Sequence, residues 1–391
     1  MKIAYFLVGR VNPNGTNGGD RVIYHLARAT AELGGEILIA GLSEKPPLPV
    51  SGVAVRYFAP PQNPFSLPAG LVDDLLAFKP DLVHFHDLYH PGSSILARWL
   101  RRRGIPYAIS VYGALMPGAL SQRRVTKSMY IRFLARSYLR RASLVHAMSN
   151  AEAEAIARFA VGVPAVVAPH GIEGVDPVSL DGGYLRRRYP ELAGKRILGF
   201  LGRLDPVNKG LDLVVEASAR LRLQNTTIVL AGPNWRGRTD SLRDRVRSLN
   251  LSDRILFAGP IPTGPVAVKE KFDFLASCDA FLHPSRWEAG IPFSVLDALE
   301  VGKPCMVTDA AFFGDFFRRN RAGLQVPATI DGVAKGLHRL AASSDEDLRR
   351  TGIQGRSAVL REFSWKRTAA GILAGYQRVA IGAGPDREAA R

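Results

Sequence analysis

The stretch RILGFLGRLDPVNKG, residues 196 to 210, contains the pattern that decides the fold. It opens with a mostly apolar run that suits a buried strand and that ends in Gly202-Arg203. A loop with a proline follows, and Lys209-Gly210 then opens a helical stretch. A strand, a short loop and a helix in succession are typical of parallel sheets with crossover helices.

The same alternation continues in both directions from this stretch. Further strands are predicted at residues 3–8, 37–42, 53–58, 81–86, 107–112, 226–232, 254–259, 280–285 and 304–309. Helices are predicted near residues 19–33, 69–78, 93–103 and 293–301. A loop rich in Gly and Pro at 170–183 separates the two series. We therefore expect an α/β protein with two doubly wound, Rossmann-like domains that face a cleft.

The domain boundaries follow from that loop and from the length of the chain. With 391 residues, the chain is long enough for two ordinary cores. We expect an N-terminal domain at 1–175, completed by a C-terminal helix near 364–380, and a second domain at 176–363. Ligands of such sheets bind outside the carboxyl ends of the strands.

Composition excludes several classes of protein. A hydrophobic share of 47% with 22% charged residues excludes a disordered chain. Cys278 and Cys305 lack the spacing of a metal or redox motif, which leaves two small core residues and a reducing compartment. No stretch approaches the ~20 uninterrupted apolar residues of a membrane span. We expect a cytoplasmic protein, or one held peripherally at the inner face of a membrane.

Basic residues are concentrated in the N-terminal half. The net charge is +17, and no acid occurs between Asp87 and Glu152. Such a field attracts phosphate groups. Within this region, residues 121–141 have a helical pattern with Arg132, Arg136 and Arg140 on one side and an apolar side formed by Tyr130, Phe133, Leu134 and Tyr138. This helix could rest on an anionic membrane, or pack on the sheet with its arginines in solvent.

Two loops are suited to a phosphate ligand. Arg203 and Lys209 flank the loop before a predicted helix, whose N-terminus also favours anions, so the pair predicts a diphosphate site. Gly18 and Gly19 form a second turn after the first strand, and glycines permit close approach of the backbone to a ligand. This turn lacks the GxGxxG spacing of a dinucleotide site.

Carboxylates occur where an apolar pattern predominates, in PSRWEAGIPFSVLDALEVGKP at 284–304. Glu288 falls on the loop after a predicted strand, and Asp297 falls one to two turns into the next helix. Ionised carboxylates accept hydrogen bonds from sugar and ribose hydroxyls. Glu300 is expected to be solvated or paired.

Histidines form the last group of candidates. His84 and His86 alternate along one strand, so they share a face and could reach the cleft together with Asp87. The spacing offers too few ligands for a metal site. His170 begins the interdomain linker, and His283 at a strand end is expected to be structural.

Taken together, the motifs resemble those of the family-4 retaining glycosyltransferases with the GT-B fold. In the C-terminal half these are GRLDPVNKG, IVLAGP, LFAGPI and the two-carboxylate segment. In the N-terminal half they are NGGDRVIYHLARATAELGGEI and DLVHFHDLYHPGSSILARWLRRRGIPYAISVYGALMPGAL. The resemblance covers most of the chain, with its motifs in the family's order.

The resemblance implies roles for individual residues. Arg203 and Lys209 would hold the diphosphate of a nucleotide-sugar, with Gly18 and Gly19 close to it. Glu288 would contact the donor sugar and Asp297 the ribose. The donor site would also include Ala289, Gly290 and Ile291, and the acceptor-side candidates are His86, Asp87, Tyr112 and His170. No metal and no cofactor other than the donor are expected.

Two departures from the family pattern affect these roles. The second acid is Asp297 instead of Glu, and it follows Glu288 by nine positions instead of the usual eight. Tyr112 stands where many relatives have a histidine before the glycine. A phenol, with a pKa of about 10, is a poor base at neutral pH. Tyr112 is therefore either a residue that positions a substrate or an aromatic residue that packs in the core.

The resulting hypothesis is a retaining transferase that moves a hexose-like sugar from a nucleoside diphosphate donor to a lipid-linked, saccharide or small-molecule acceptor. The alternative is a non-catalytic protein with this fold that binds anionic lipid or another polyanion through residues 98–141. That region lacks a nucleic-acid-binding motif. An oxidoreductase would need a dinucleotide fingerprint that neither half contains.

Overall fold

The computed structural model describes residues 1–13, 18–45, 48–261, 265–311 and 314–382. The chain forms two compact units. The first contains Met1–Gly171 and the segment that begins at Ser364, and the second contains Ile172–Phe363. The chain therefore passes from the first unit to the second after Gly171, and not at residue 175 as expected.

The N-terminal unit is built on a parallel sheet. Its seven strands, as described, are β1 (Lys2–Val8), β2 (Glu36–Leu42), β3 (Val53–Phe58), β4 (Leu82–Phe85), β5 (Tyr107–Ser110), β6 (Leu144–Ala147) and β7 (Ala165–Val167). They lie in the order β3-β2-β1-β4-β5-β6-β7. Five consecutive buried residues in β1 show that both faces of the sheet are covered.

Helices connect these strands. They are α1 (Gly18–Glu32), α2 (Leu71–Phe78), α3 (Pro91–Arg101), α4 (Pro117–Ser121), α5 (Arg124–Tyr130), α6 (Arg136–Arg140) and α7 (Asn150–Ala157). Among the described residues, no helix of the chain is long and apolar enough to cross a membrane.

The C-terminal unit repeats the architecture. Its strands are β8 (Arg196–Leu201), β9 (Thr226–Ala231), β10 (Ile255–Gly259), β11 (Ala280–His283), β12 (Cys305–Thr308) and β13 (Gly323–Val326), in the order β10-β9-β8-β11-β12-β13. Its helices are α8 (Tyr184–Arg188), α9 (Leu211–Arg220), α10 (Arg238–Ser248), α11 (Pro265–Ser277), α12 (Phe293–Glu300), α13 (Gly314–Asn320), α14 (Ile330–Ala342) and α15 (Asp345–Glu362). Short 3₁₀ turns occur at Pro177–Ser179, Pro190–Leu192 and Asp309–Ala311.

The expected fold class is confirmed, since all strand pairs within both sheets are parallel. Strand order reverses between β1 and β4 in the first sheet and between β8 and β11 in the second. In doubly wound sheets, ligands bind beside such reversals, at the carboxyl ends of the strands. Both groups of candidate residues follow these strands.

The last helix of the chain, α16 (Trp365–Gly382), belongs to the N-terminal unit. It packs beside α1, where the ring of Trp365 stacks on that of His25 with centroids 5.1 Å apart. Further along, the hydroxyl of Tyr376 lies 2.5 Å from Nδ1 of His84 in β4. A residue at the far end of the sequence therefore completes the core of the first sheet.

In the basic segment at 121–141, Ser121 ends α4 and the helix resumes at Arg124, with one π-helical turn at Ile131–Ala135 between α5 and α6. A π turn shifts all later side chains around the helix axis relative to the 3.6-residue repeat. The predicted apolar side was partly wrong. Tyr138 is buried, whereas Phe133 is 70% exposed and lies in an outward series with Val125 (73%) and Met129 (56%).

Candidate functional site

The loop between β8 and α9 is held against the end of β11 by a glycine. Gly210 has a φ of 63°, and a Cβ at this position would lie 2.0 Å from the carbonyl oxygen of Pro284. Only glycine permits both this backbone conformation and this approach. Lys209, one residue earlier, is thereby placed next to the loop that carries Glu288.

Two polar side chains fix the shape of that loop. Asp205 accepts hydrogen bonds from the backbone N–H groups of Val207 (3.2 Å) and Asn208 (3.3 Å). Arg286 forms a bidentate pair with Asp212 of α9, at 2.7 and 2.8 Å, and also donates to the carbonyl oxygen of Val207. A forked guanidinium–carboxylate pair adds geometric restraint as well as energy, so Arg286 ties the β8 loop to the β11 loop.

Arg203 occupies the start of the same loop. Its guanidinium lies over the ring of Trp235, 4.3 Å from the ring centroid, at the end of the neighbouring strand β9. Among the described residues, no carboxylate lies within ion-pair distance of Arg203. Its charge is therefore held in place by an aromatic ring and is available to an anion.

Glu288 is the centre of a small buried network. Its Oε1 accepts from the Nζ of Lys209, from Nε2 of His283 (3.0 Å) and from Oγ of Ser285 (2.8 Å). The side chains of Lys209 and Glu288 are 13% and 16% exposed. The two residues that were assigned to the diphosphate and to the donor sugar are thus in direct contact.

The charges of this network can be inferred from its surroundings. Burial acts to raise the pKa of Glu288, but the Lys209 ammonium and the hydrogen bonds from His283 and Lys209 outweigh it and hold this pKa well below the usual range. Burial lowers the pKa of His283, although the adjacent carboxylate opposes this effect. At neutral pH the site contains an ionised carboxylate and a neutral imidazole that donates from Nε2.

Asp297 lies on α12 but points into a different environment. It is 2% exposed, and its carboxylate lies 3.1 Å from the Nζ of Lys271, which is also 3.7 Å from Glu173. A buried carboxylate of this kind requires a partner, and Lys271 supplies one. The ribose role of Asp297 stays a prediction that must compete with this ion pair.

Glu300 is paired and not solvated. It is fully buried, and its Oε1 accepts from the backbone N–H of Val175 at 2.5 Å. Burial raises the pKa of Glu300 to about 7. The three acids of residues 284–304 therefore differ in their partners. Glu288 contacts Lys209, Asp297 forms a buried ion pair with Lys271, and Glu300 accepts from a backbone N–H group.

In the N-terminal unit, a chain of hydrogen bonds crosses the ends of β4, β5 and β6. Nε2 of His146 lies 2.8 Å from the carbonyl oxygen of Ala168, so this nitrogen must carry the proton. Nδ1 of His146 then accepts from Ser110 (2.7 Å), and Ser110 accepts from Nε2 of His84 (2.8 Å). Burial lowers the pKa of His146 to about 4 and that of His84 well below its usual value. The network is neutral and its direction is fixed.

His86 lies beside this network and contacts Tyr112. The rings of His84 and His86 are 4.2 Å apart, which confirms that they share one face of β4. Nδ1 of His86 is 2.5 Å from the Tyr112 hydroxyl. Tyr112 adopts a φ of 46°, which is uncommon for a bulky residue. The ring of His170 is 6.4 Å from that of Tyr112, so the structure brings these three acceptor-side candidates together.

Other predicted residues lie apart from this group or are only partly described. Asp87 accepts from Ser93 at 2.9 Å, and burial raises the pKa of Asp87 to about 7. Gly18 and Gly19 form the first turn of α1, but residues 14–17 of the glycine-rich turn lie outside the described residues. Ala289 and Ile291 are 8% and 9% exposed, and Gly290 between them is buried.

The basic region forms a groove on the N-terminal unit. It has a volume of about 630 Å³ and is lined by Arg124, Arg132, Arg136, Arg140 and Arg158, with Leu120, Ile131 and Phe159 among its apolar residues. Within the described part of the chain, none of the five guanidinium groups has a carboxylate within 4.0 Å. The groove thus combines unneutralised positive charge with an apolar surface.

Sequence reasoning missed several residues of both groups. His283 was expected to be structural, yet it donates to Glu288. Trp235 and Tyr376 were missed because their partners, Arg203 and His84, are distant in sequence. Ser285 was missed because its contact with Glu288 depends on the shape of a loop. Glu152 could have been identified, because Ser149-x-x-Glu152 has the spacing of a capping box, and Ser149 does accept from the N–H of Glu152 at 3.1 Å.

Comparison with known proteins gives matches along both units. Residues 17–171 match the family model described as a glycosyl transferase 4-like domain, and residues 195–343 match the model described as glycosyl transferases group 1. Over 199 residues the chain is 30% identical to the lipopolysaccharide core biosynthesis mannosyltransferase LpsB of Rhizobium meliloti. This match covers 47% of this chain and 52% of that protein. The chain spans about half the length of the curated relatives it matches.

Solved structures match the fold over nearly the whole chain. Sucrose-phosphate synthase from Thermosynechococcus elongatus has a TM-score of 0.76 at 18% identity and covers 97% of this chain and 99% of that chain. Anabaena Alr3699/HepE in complex with UDP-glucose has a TM-score of 0.72 at 17% identity and covers 97% of this chain and 98% of that one. The TM-scores show that the fold is shared.

Proposed function

The chain belongs to the family-4 glycosyltransferases with the GT-B fold, and on this basis we propose that it is a retaining transferase that uses a nucleoside diphosphate sugar. The observation that supports the donor class is the pair of cations on the β8 loop. Arg203 has no carboxylate partner among the described residues, and Lys209 lies at the base of the same loop. Two cations beside a helix N-terminus are suited to a diphosphate.

In this proposal the C-terminal unit binds the donor. Arg203 and Lys209 stabilise the negative charge that develops on the leaving diphosphate, which is electrostatic catalysis. Glu288 orients the sugar by accepting hydrogen bonds from its hydroxyls. The bond between the anomeric carbon and the diphosphate oxygen breaks, the acceptor oxygen bonds to the same face of that carbon, and the acceptor proton goes to the departing phosphate. No metal takes part in this scheme.

The N-terminal unit binds the acceptor in this proposal. His86, Tyr112 and His170 form one group at the carboxyl ends of the strands, with Tyr112 as the group that contacts substrate. A lipid-linked saccharide acceptor suits the basic groove, and the relative LpsB is named for lipopolysaccharide core biosynthesis. The acceptor class is therefore a phosphate-bearing or lipid-linked saccharide.

The donor proposal can be tested by thermal shift. UDP, GDP, TDP and ADP are titrated against the wild type, against Arg203→Ala and against Arg203→Ala combined with Lys209→Ala. We expect one nucleotide to raise the melting temperature, because a ligand that binds only the folded state stabilises it by mass action. The shift should shrink in the single variant and vanish in the double variant.

The outcomes of this titration distinguish the two hypotheses that the sequence suggests, a transferase and a non-catalytic protein that binds polyanions. A shift that depends on Arg203 identifies the diphosphate site and the donor base. A shift that persists in the double variant places the nucleotide elsewhere. If no nucleotide changes the melting temperature, the donor proposal fails, and the alternative of a non-catalytic protein that binds anionic lipid through residues 98–141 takes its place.

We also propose that the basic groove and the neighbouring helix face attach the protein peripherally to an anionic membrane. Val125, Met129 and Phe133 are more than half exposed and recur at four-residue intervals on the segment that also carries the groove arginines. Exposed apolar side chains beside unneutralised arginines are typical of helices that lie in the headgroup region of a bilayer. The apolar residues would enter the bilayer, and the arginines would contact lipid phosphates.

Replacing Arg132, Arg136 and Arg140 with Gln is expected to weaken co-sedimentation with vesicles that contain phosphatidylserine. Each basic residue near an anionic surface contributes about 1 kcal/mol, so each substitution should lower the partition coefficient about fivefold. The control replaces Arg187, Arg247 and Arg350 with Gln. This variant loses the same amount of positive charge, but its three arginines are ion-paired on the C-terminal unit. If the two triple variants weaken vesicle binding equally, net charge alone explains the attraction, and the assignment to the groove is overturned.

A further inference from the structure

Tyr112 lies in a turn whose backbone conformation is unusual. Its φ is 46° and that of Gly113 is 79°, so two consecutive residues occupy the left-handed region. Glycine adopts this region readily, but a bulky aromatic residue does so only when its surroundings enforce it. The turn follows β5, and its aromatic side chain is the one placed against His86.

Backbone hydrogen bonds from Ala114 to Val111 and from Met116 to Gly113, both 3.0 Å, close the turn, and a buried carboxylate ties it to α7. Glu152 on α7 is 1% exposed, and its Oε1 accepts from the backbone N–H of Gly113 at 2.5 Å. Its Oε2 accepts from the N–H of Met148 at 2.8 Å, just after β6. The carboxylate thus joins the ends of two neighbouring strands, and one of the groups it binds belongs to the left-handed turn.

The other end of the turn is fixed by the ring of His86. Burial lowers the pKa of His86 to about 3, so the ring is neutral and carries one proton. Nε2 of His86 is buried and has no hydrogen-bond partner among the described residues. An unpaired buried N–H is rarer than an unpaired lone pair, so the proton belongs on Nδ1 and is donated to the Tyr112 oxygen. The phenol keeps its own O–H, which also has a side-chain hydrogen-bond contact with Ser110, so a bound substrate would take this hydrogen bond in place of Ser110.

We propose that Glu152 is a positioning residue, which in its ionised form holds the Tyr112–Gly113 turn so that the Tyr112 hydroxyl can donate a hydrogen bond to the bound substrate. The inference rests on the proposed transferase function for the role of Tyr112. Its structural part, the control of the turn by the charge of one carboxylate, stands apart from that function.

Ionisation of Glu152 occurs in an accessible pH range. Burial raises the pKa of Glu152 to about 7, against the opposing effect of its two backbone hydrogen bonds. Tyr112 is the titratable side chain that interacts with it, and burial raises the pKa of Tyr112 far above this range. His86, His146 and His170 have pKa values lowered to between about 3 and about 4 by burial. Asp87 and Glu300, each with a pKa of about 7, are the groups that need a control.

The sign of the pH effect separates positioning from plain structural support. Protonation leaves one carboxyl oxygen a poor acceptor, so one of the two N–H groups loses its partner below pH 7, and transfer should increase as pH rises to about 8. Folding stability should change in the opposite direction. The folded carboxyl binds its proton more tightly than the unfolded one, whose pKa is 4.5, so the contribution of Glu152 to stability falls as pH rises from 4.5 to about 7.

The test compares Glu152→Gln with the wild type across this range. The amide is neutral and can accept only one of the two hydrogen bonds, so we expect kcat at pH 8 to fall by about tenfold to about a hundredfold, with the dependence near pH 7 abolished. In a Tyr112→Phe background, the same substitution should have no further effect on kcat. Asp87→Asn and Glu300→Gln should leave the pH dependence of kcat near pH 7 in place. Ser149→Ala, which removes the side-chain cap of α7, should lower the melting temperature while this pH dependence remains.

A second measurement does not depend on turnover. Hydrogen exchange of the Gly113 amide, corrected for the intrinsic rate, should be slow above pH 7 in the wild type and at least tenfold faster in Glu152→Gln. Unchanged protection of this amide overturns the proposal, and so does a Glu152→Gln variant with the wild-type pH profile. If the wild type binds no nucleotide and transfers no sugar but Gly113 responds as expected, the transferase function fails and control of the turn stands.

Discussion

Replacing Glu288 with Gln is expected to lower the rate of sugar transfer on the order of 10³-fold while the fold survives. The carboxylate accepts hydrogen bonds from Lys209, His283 and Ser285 through one oxygen. The amide has the same size but no charge, so it orients Lys209 less firmly and accepts fewer hydrogen bonds from a donor sugar. Loss of one preorganised polar group at a reacting centre has an effect of about this size.

The measurement is kcat with nucleotide-sugars that carry the base identified by the thermal-shift titration. Glu216→Gln is the matched control, because Glu216 is also an ion-paired glutamate of the C-terminal unit but pairs with Arg245 at the surface. Its kcat should equal that of the wild type. Near wild-type turnover in Glu288→Gln, or in Glu288→Ala, would remove Glu288 from the donor role.

The second large effect concerns stability. Lys209→Ala should lower the free energy of unfolding of the C-terminal unit by about 3 kcal/mol at pH 7, because removal of one partner leaves a buried charge without its counter-ion. The side chains of both residues are mostly shielded from solvent. Urea unfolding measures the change, and the double variant Lys209→Ala/Glu288→Gln should recover most of the loss.

The pH dependence of unfolding provides an independent check on this pair. The folded pKa of Glu288 is depressed, so the ionised carboxylate contributes stability that is fully present above its unfolded pKa of 4.5. This contribution is lost as the pH falls below 4.5 towards the folded value. Glu288→Gln should therefore flatten the acid side of the stability curve. An unchanged curve would show that the ion pair contributes nothing to folding.

Much of the fold could be predicted from the sequence because parallel strands that are buried on both faces are continuous apolar runs. The strand predicted at 53–58 is observed at Val53–Phe58, and the strand at 37–42 is observed at Glu36–Leu42. The strands β6, β7 and β13 were not predicted; β7 has only three residues, and β13 contains the polar Gln325. The π turn also has no signal in a 3.6-residue repeat. Phe133 was misplaced because it continues the outward series of Val125 and Met129, and an apolar residue type alone does not show which side of a helix is exposed.

The candidate site was only partly predictable, since its chemistry depends on pairs that are distant in sequence. Arg203, Lys209 and Glu288 stand out because they follow strands and precede helices. The partner of Asp297 is Lys271 on another helix, and nothing in the local pattern indicates it. The contact of Glu152 with Gly113 is likewise a consequence of the neighbouring positions of β5 and β6.

The return of α16 to the first sheet has a consequence for how the protein is made. Synthesis proceeds from the N-terminus, and domains generally fold as units as they emerge. Here β1 to β7 and the complete C-terminal unit are translated before Trp365 and Tyr376, so His25 and His84 wait for their partners until the end. The C-terminal unit is therefore synthesised in full before the N-terminal unit has its last helix, so the first unit to be started is the last to be completed.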